Sequence, residues 1–138
     1  MSEAAEYVII DGLNDARSLV YSTWLRSYQQ SGPAVKKVSR TDFFAGHHKV
    51  LDGIFARNPT VKLAVFPEDH SVVFGWSVSE PGVLHYAYVK PDFRKFGIAR
   101  ALTAHLAKPF AYSHYTYVVR DLEKHLNGCT HNPYLVTT

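Results

Sequence analysis

At 138 residues the chain is the size of one domain, long enough to bury a substantial core without disulfides or metal. Hydrophobic residues make up 46% and charged residues 20%, which is the balance of an ordinary globular protein and not of a disordered tail. Fifteen cations against twelve acids leave a net +3, a mild bias that admits an anionic ligand but lacks the dense basic stripe of a dedicated nucleic-acid binder.

Cys129 is the sole cysteine, so no internal disulfide forms and a reducing, cytoplasmic setting is expected. The opening "MSEAAEYVII" carries acids and no long apolar run, so neither a signal peptide nor a membrane span of ~20 apolar residues is expected.

"EYVII" (6–10) is a short β-rich run. "NDARSLVYSTWLRSYQQ" (14–30) follows with Asn14 as a cap candidate and predicts a helix. Ala16, Val20, Trp24 and Ser27 share one face, with Leu19 and Tyr28 beside it. "SGPAVKKVSR" (31–40) is a loop carrying Lys36, Lys37 and Arg40. A second helix is expected from Asp42 to about Arg57, capped by Thr41 or Asp42, with Phe44, His47, Leu51 and Ile54 at helical spacing. Asn58-Pro59 stops it.

Three strands come next: 61–66, 71–79 and 83–89, joined by turns at "PEDH" and "EPG". Such short turns predict an antiparallel meander. Val72, Phe74, Trp76 and Val78 alternate and are expected on one face. A third helix begins near Gly97 with Ile98, Leu102 and His105 or Leu106 inward, and Pro109 ends it. "FAYS" (110–113) reads as a strand, 117–127 as a helix closed by Gly128, and "PYLVT" (133–137) as a last strand. The order is β-α-α-β-β-β-α-β-α-β in one domain over 1–138. It describes an α/β (α+β) fold with a mixed, mostly antiparallel sheet flanked by about four helices. The strand after the third helix lies parallel to the strand before it.

The stretch "VKPDFRKFGIARAL" (89–102) joins the end of a strand to the start of a helix. A helix start leaves about four N–H groups unpaired and carries partial positive charge. Diphosphate suits such a site. Gly97 removes the side chain where a ligand must come close, Ala99 keeps the next turn slim, and Arg94, Lys95 and Arg100 charge the rim. A tight turn with solvated cations is the plain structural alternative. Walker and Rossmann patterns are absent.

This stretch resembles the acetyl-CoA signature of the GNAT superfamily of N-acetyltransferases. That signature reads R/Q-x-x-G-x-G/A after the fourth strand, preceded by V-x-P and followed by a helical leucine. Arg94, Gly97, Ala99, Val89, Pro91 and Leu102 stand at those positions. "VVFGW" (72–76) is similar to the family's third strand. The brevity of the chain is similar to compact acetyltransferase-like proteins of bacteriophages.

The resemblance implies acetyl-CoA as co-substrate and no metal. The coenzyme's pyrophosphate would lie on the amides of Lys95, Phe96, Gly97, Ile98, Ala99 and Arg100 with Arg94 flanking. Its pantetheine arm would lie along Ala87 and Val89. An amine of a small molecule or protein would attack the acetyl carbonyl. The family's usual strand-four carboxylate is missing from "VLHYAYV". His85 or His114 would then serve as base, with buried packing or solvent as the bland reading of each. Glu80, in a turn, is expected to lie too far away. Tyr134 or Tyr117 would serve as acid, although nine tyrosines make one near the thiol expected by chance. Residues 31–40 and the helix after them correspond to the acceptor region. By the same resemblance the short C-terminus is expected to leave that site open or completed by a second subunit.

His47-His48 is not expected to bind metal, because adjacent helical positions face apart. Two other readings stand beside the enzyme. One is a degenerate member that binds coenzyme or a partner without turnover. The other is a small nucleic-acid binder, which rests on charge alone.

Overall fold

The computed structural model describes residues 6–12, 16–94, 97–116, 119 and 128–137. Among them run β1 (Val8–Asp11), α1 (Arg17–Ser31), α2 (Arg40–Phe55), β2 (Thr60–Phe66), β3 (Asp69–Glu80), β4 (Val83–Val89), α3 (Ile98–Thr103), β5 (Ala111–Tyr112) and β6 (Thr130–His131). The fold is mixed α+β, with a six-stranded sheet in the order β1-β2-β3-β4-β5-β6. The first four strands are antiparallel to their neighbours, whereas β5 runs parallel to β4 and β6 parallel to β5. Of the helix expected over 117–127 only Val119 is among the described residues, and the Asn14 cap lies outside them. No described helix is long and apolar enough to cross a membrane.

The sheet separates two apolar layers. Alternation along β2 sends Val61, Leu63 and Val65 to the face covered by α1 and α2, and Ala64 to the face covered by α3. On the first face α1 contributes Val20, Tyr21, Trp24, Leu25 and Tyr28. The stripe is therefore centred one position away from the expected Ser27, whose hydroxyl instead reaches the Tyr86 hydroxyl at 2.8 Å. Phe43, Leu51 and Ile54 are the buried residues of α2, and Phe44 sits at the edge. Ser39 caps α2, accepting from the Asp42 amide at 3.1 Å, in place of the expected Thr41 or Asp42. The helix ends as expected: Asn58 takes φ +53° just before Pro59.

Three register shifts interrupt the described sheet, and two of them are single-residue bulges that reorient named side chains. Ala64 pairs with Gly75 and Val65 with Val73, so Phe74 is an extra residue on β3. That insertion sends Phe74 to the α3 face while Trp76 and Val78 face α1 and α2, against the alternation read from sequence. Val72 is exposed. On β4, Val78 pairs with Tyr86 and Ser79 with Leu84, which makes His85 the second extra residue.

At the C-terminus, 133–137 is a 3-10 turn and not a strand; the strand lies earlier, at Thr130–His131. Pro133 at the head of the segment lacks an N–H, which disfavours ladder pairing there. The third helix is also shorter than expected and ends at Thr103.

Candidate functional site

β5 pairs with β4 only through Val83↔Ala111 and Leu84↔Tyr112, while β4 runs on to Val89. Ladder pairing between the two parallel strands therefore ends at Leu84, next to the His85 bulge. Bulges bend the strand that carries them, and this one lies where the pairing with β5 stops. The Lys90 amide donates to the Phe74 carbonyl at 2.9 Å. By the alternation of an antiparallel ladder, Ala87 and Val89 then turn their main-chain groups away from β3. Arg94 reaches back, and its Nε donates to the Val89 carbonyl at 2.8 Å.

A 3-10 turn at Pro91–Phe93 leads from β4 toward Gly97. Gly97 immediately precedes α3, as the sequence leads one to expect, and takes φ +80°. A Cβ built there meets nothing within 4 Å, so the space in front of this residue is open. Ile98 and Leu102 anchor the helix in the layer with Ala64, Phe74 and Val89. Ile98 therefore offers a loop ligand only its backbone, while Ala99 and Arg100 are exposed. Lys95 and Phe96 lie outside the described residues, as does Tyr117.

Where this pairing ends the expected bases come together. His85 is 1% exposed and His114 is 4% exposed. His85 Nε2 lies 2.7 Å from Glu80 Oε1, and its Nδ1 lies 2.7 Å from Ser113 Oγ. Ser113 Oγ is 2.8 Å from His114 Nδ1, and His114 Nε2 is 2.8 Å from His47 Nε2. Glu80, expected too far away, thus belongs to this line. It ends β3 and does not lie free in the turn, and the bulge draws His85 onto it. Arg57 grips both Glu80 oxygens, Nε to Oε2 at 3.1 Å and Nη2 to Oε1 at 2.8 Å.

Burial is the main cause of a lowered pKa for all three rings. His47 falls to about 4. His85 also falls, because desolvation outweighs the raising effect of Glu80. His114 falls well below the usual imidazole range. Glu80 moves down because of the hydrogen bond from Arg57 first and that from His85 after it. At neutral pH the site therefore holds a carboxylate and three uncharged imidazoles.

Aromatic rings enclose this line on the α1 side. Trp24 and Tyr28 lie 5.1 and 4.8 Å, centroid to centroid, from His114, and Phe43 stacks on His47 at 5.3 Å. His48 turns outward, its Nδ1 at 3.2 Å from Asp52 Oδ2, so the two neighbouring histidines do face apart. Among the described residues no group of three or more His, Cys, Asp or Glu is placed to hold a metal ion. Tyr134 is 79% exposed in the C-terminal turn, apart from the hydrogen-bonded line.

The sequence reading named His85 and His114 and missed their linkage through Ser113. The only signal available was the "SH" pair (113–114) at the end of a strand predicted parallel to β4. No family model matches this chain, and neither does any curated protein.

Proposed function

We propose that the chain is an acetyl-CoA-dependent N-acetyltransferase of the GNAT type. The observations that support this reading are the end of pairing between the parallel strands β4 and β5 at Leu84 and Gly97 in a left-handed conformation where the chain enters α3. Beyond that point the main-chain groups of Ala87 and the Val89 amide would receive an extended pantetheine arm. The turn at Gly97 offers amides for a diphosphate. Gly97, Ile98, Ala99 and Arg100 supply that turn, with Lys95 and Phe96 assigned from the sequence motif and Arg94 at the rim.

In this reading the thioester sits where the strands diverge, beside Ser113 and His114. The amine approaches from the side of α1 and α2, under the loop 32–39. Its nitrogen attacks the acetyl carbonyl carbon, the carbon–sulfur bond breaks, and the thiolate takes up a proton. A main-chain N–H on the β4 edge stabilises the developing oxyanion. A small-molecule amine and a protein amine both fit this chemistry.

The test is a thermal shift with acetyl-CoA. A concentration ~100 times Kd adds ~2.7 kcal/mol of stability, roughly 10 °C in Tm for a domain of this size. Gly97→Glu forces a side chain onto a left-handed residue and sets a carboxylate against the diphosphate. It is expected to abolish the shift. No shift in the wild-type chain defeats the proposal.

One observation favours the degenerate alternative, a coenzyme or partner binder without turnover. The Arg94 guanidinium occupies the Val89 carbonyl, which an arm lying along the edge would need. Thiol release across a panel of primary amines separates the two: turnover selects the enzyme, and a coenzyme shift without turnover selects the binder.

A further inference from the structure

Four hydrogen bonds form one line from α2 to β3, through His47, His114, Ser113, His85 and Glu80. Their directions follow from elementary bookkeeping of protons. A neutral imidazole has one N–H, so one nitrogen donates and the other accepts, and an ionised carboxylate only accepts. Glu80 is held ionised by Arg57, so His85 Nε2 must carry the proton and donate. His85 Nδ1 then accepts, and the Ser113 hydroxyl donates to it at 2.7 Å. The other contact of that hydroxyl, to the His85 carbonyl at 3.5 Å, is too long to compete.

With its proton committed, Ser113 Oγ accepts from His114 Nδ1–H at 2.8 Å. His114 Nε2 therefore accepts, and His47 Nε2–H donates to it at 2.8 Å. One charged group sets all four directions, and every donor points toward Glu80. What remains is the lone pair on His47 Nδ1, which has no partner among the described residues. It belongs to a partly exposed side chain one turn after Phe43. Tyr28 and Phe43 pack on this ring, and Arg57, at the far end, is the cation on Glu80.

We propose that this line is a proton relay of fixed polarity, in which His47 Nδ1 accepts a proton from an ammonium group held at α1 and α2 while Glu80 receives one at the other end. The ammonium as donor rests on the acetyl-transfer reading; the polarity does not.

The transfer balances atom by atom. The ammonium N–H breaks and His47 Nδ1–H forms. The His47 Nε2 proton moves to His114 Nε2, the His114 Nδ1 proton to Ser113 Oγ, and the Ser113 proton to His85 Nδ1. The His85 Nε2 proton moves to Glu80 Oε1, and a neutral, nucleophilic amine is left. Reverse flow restores the starting tautomers when the departing thiolate takes up its proton. Glu80 borders an open groove of about 360 Å³ shared with Thr60, Ser79 and His105, which gives that end access to solvent.

Long-range proton–nitrogen correlation spectra of the isotope-labelled full chain at near-neutral pH test the polarity. The expected pattern is Nε2–H for His85 and His47 and Nδ1–H for His114. Ser113→Ala cuts the line, so His85 keeps its form while His114 and His47 become tautomer mixtures. Glu80→Gln removes the source of the polarity and mixes all three; if that variant does not fold, Ser113→Ala decides. A wild-type His114 protonated on Nε2, or unchanged tautomers in Ser113→Ala, overturns the relay. Loss of the coenzyme shift would defeat the acetyl-transfer reading and leave these tautomers in place. Wrong tautomers would defeat the relay and leave the coenzyme site standing.

Discussion

Gly75 sits directly against the β4 backbone: a Cβ there would lie 2.6 Å from the Tyr88 carbonyl oxygen. Backbone on the far side cannot swing away as a side chain does, so the strand itself must shift. Gly75→Ala is expected to cost about 1–3 kcal/mol, read as a lower denaturant midpoint at unchanged slope. Gly97 answers to a different constraint. Its surroundings are open but its φ is +80°, so conformation and not space restricts it. His47 is the residue whose role changed most between sequence and structure. On the apolar face of α2 it reads as a partly buried packing residue, yet its ring joins His114 at 2.8 Å. Under the acetyl-transfer reading, His47→Gln is expected to lower kcat roughly 100-fold with the acetyl-CoA shift unchanged. An undiminished kcat would remove His47 as the proton acceptor.

At the level of elements, α2 is tied down at both ends. Ser39 caps its start. Just past its last turn, Arg57 spans three parts of the chain: the Glu80 carboxylate, the Gly53 carbonyl and the Leu135 and Val136 carbonyls of the C-terminal turn. The same guanidinium that keeps Glu80 ionised thus holds 133–137 against the body. Arg57→Met is expected to cost about 2 kcal/mol and to speed amide hydrogen exchange within 133–137. Exchange there as slow as in the wild-type chain would show that the turn is held by its apolar contacts alone, Val136 among them.

For the whole molecule, the acid response follows from the three buried rings. The pKa values of His47, His85 and His114 lie below the ordinary value of 6.5 in the folded state. Below that value the unfolded chain binds protons that the folded chain refuses, so stability rises with pH across this window. Stability is therefore full above about pH 6.5 and is lost as pH falls toward 4, the folded value of His47. Each ring that stays neutral contributes a slope of about 1.4 kcal/mol per pH unit. The depressed Glu80 adds a further loss at lower pH, once its carboxylate begins to take up protons. Thermal unfolding from pH 7 to 4 is expected to show a steep fall in Tm, shallower in His47→Gln. A flat profile would mean that the rings are more hydrated than their burial implies.

Read alone, the sequence determined the elements whose signals are local. The hairpin strands β2, β3 and β4 follow from alternation and short turns, α1 and α2 from apolar spacing, and the tight turn at Gly97 from a glycine between a strand end and a helix. It also determined that β5 runs parallel to β4, because a helical crossover lies between them. Tertiary structure alone decided the two bulges, since one extra residue on a strand is a property of pairing and leaves no mark in composition. Those bulges turned Phe74 to the other face and set His85 against Glu80. The line from His47 to Glu80 joins residues from α2, β3, β4 and the end of β5, and no local periodicity relates positions 47, 80, 85 and 114. Hydrogen bonds across such separations exist only once the sheet has closed, and that is why the histidines were visible as candidates while their connection was not.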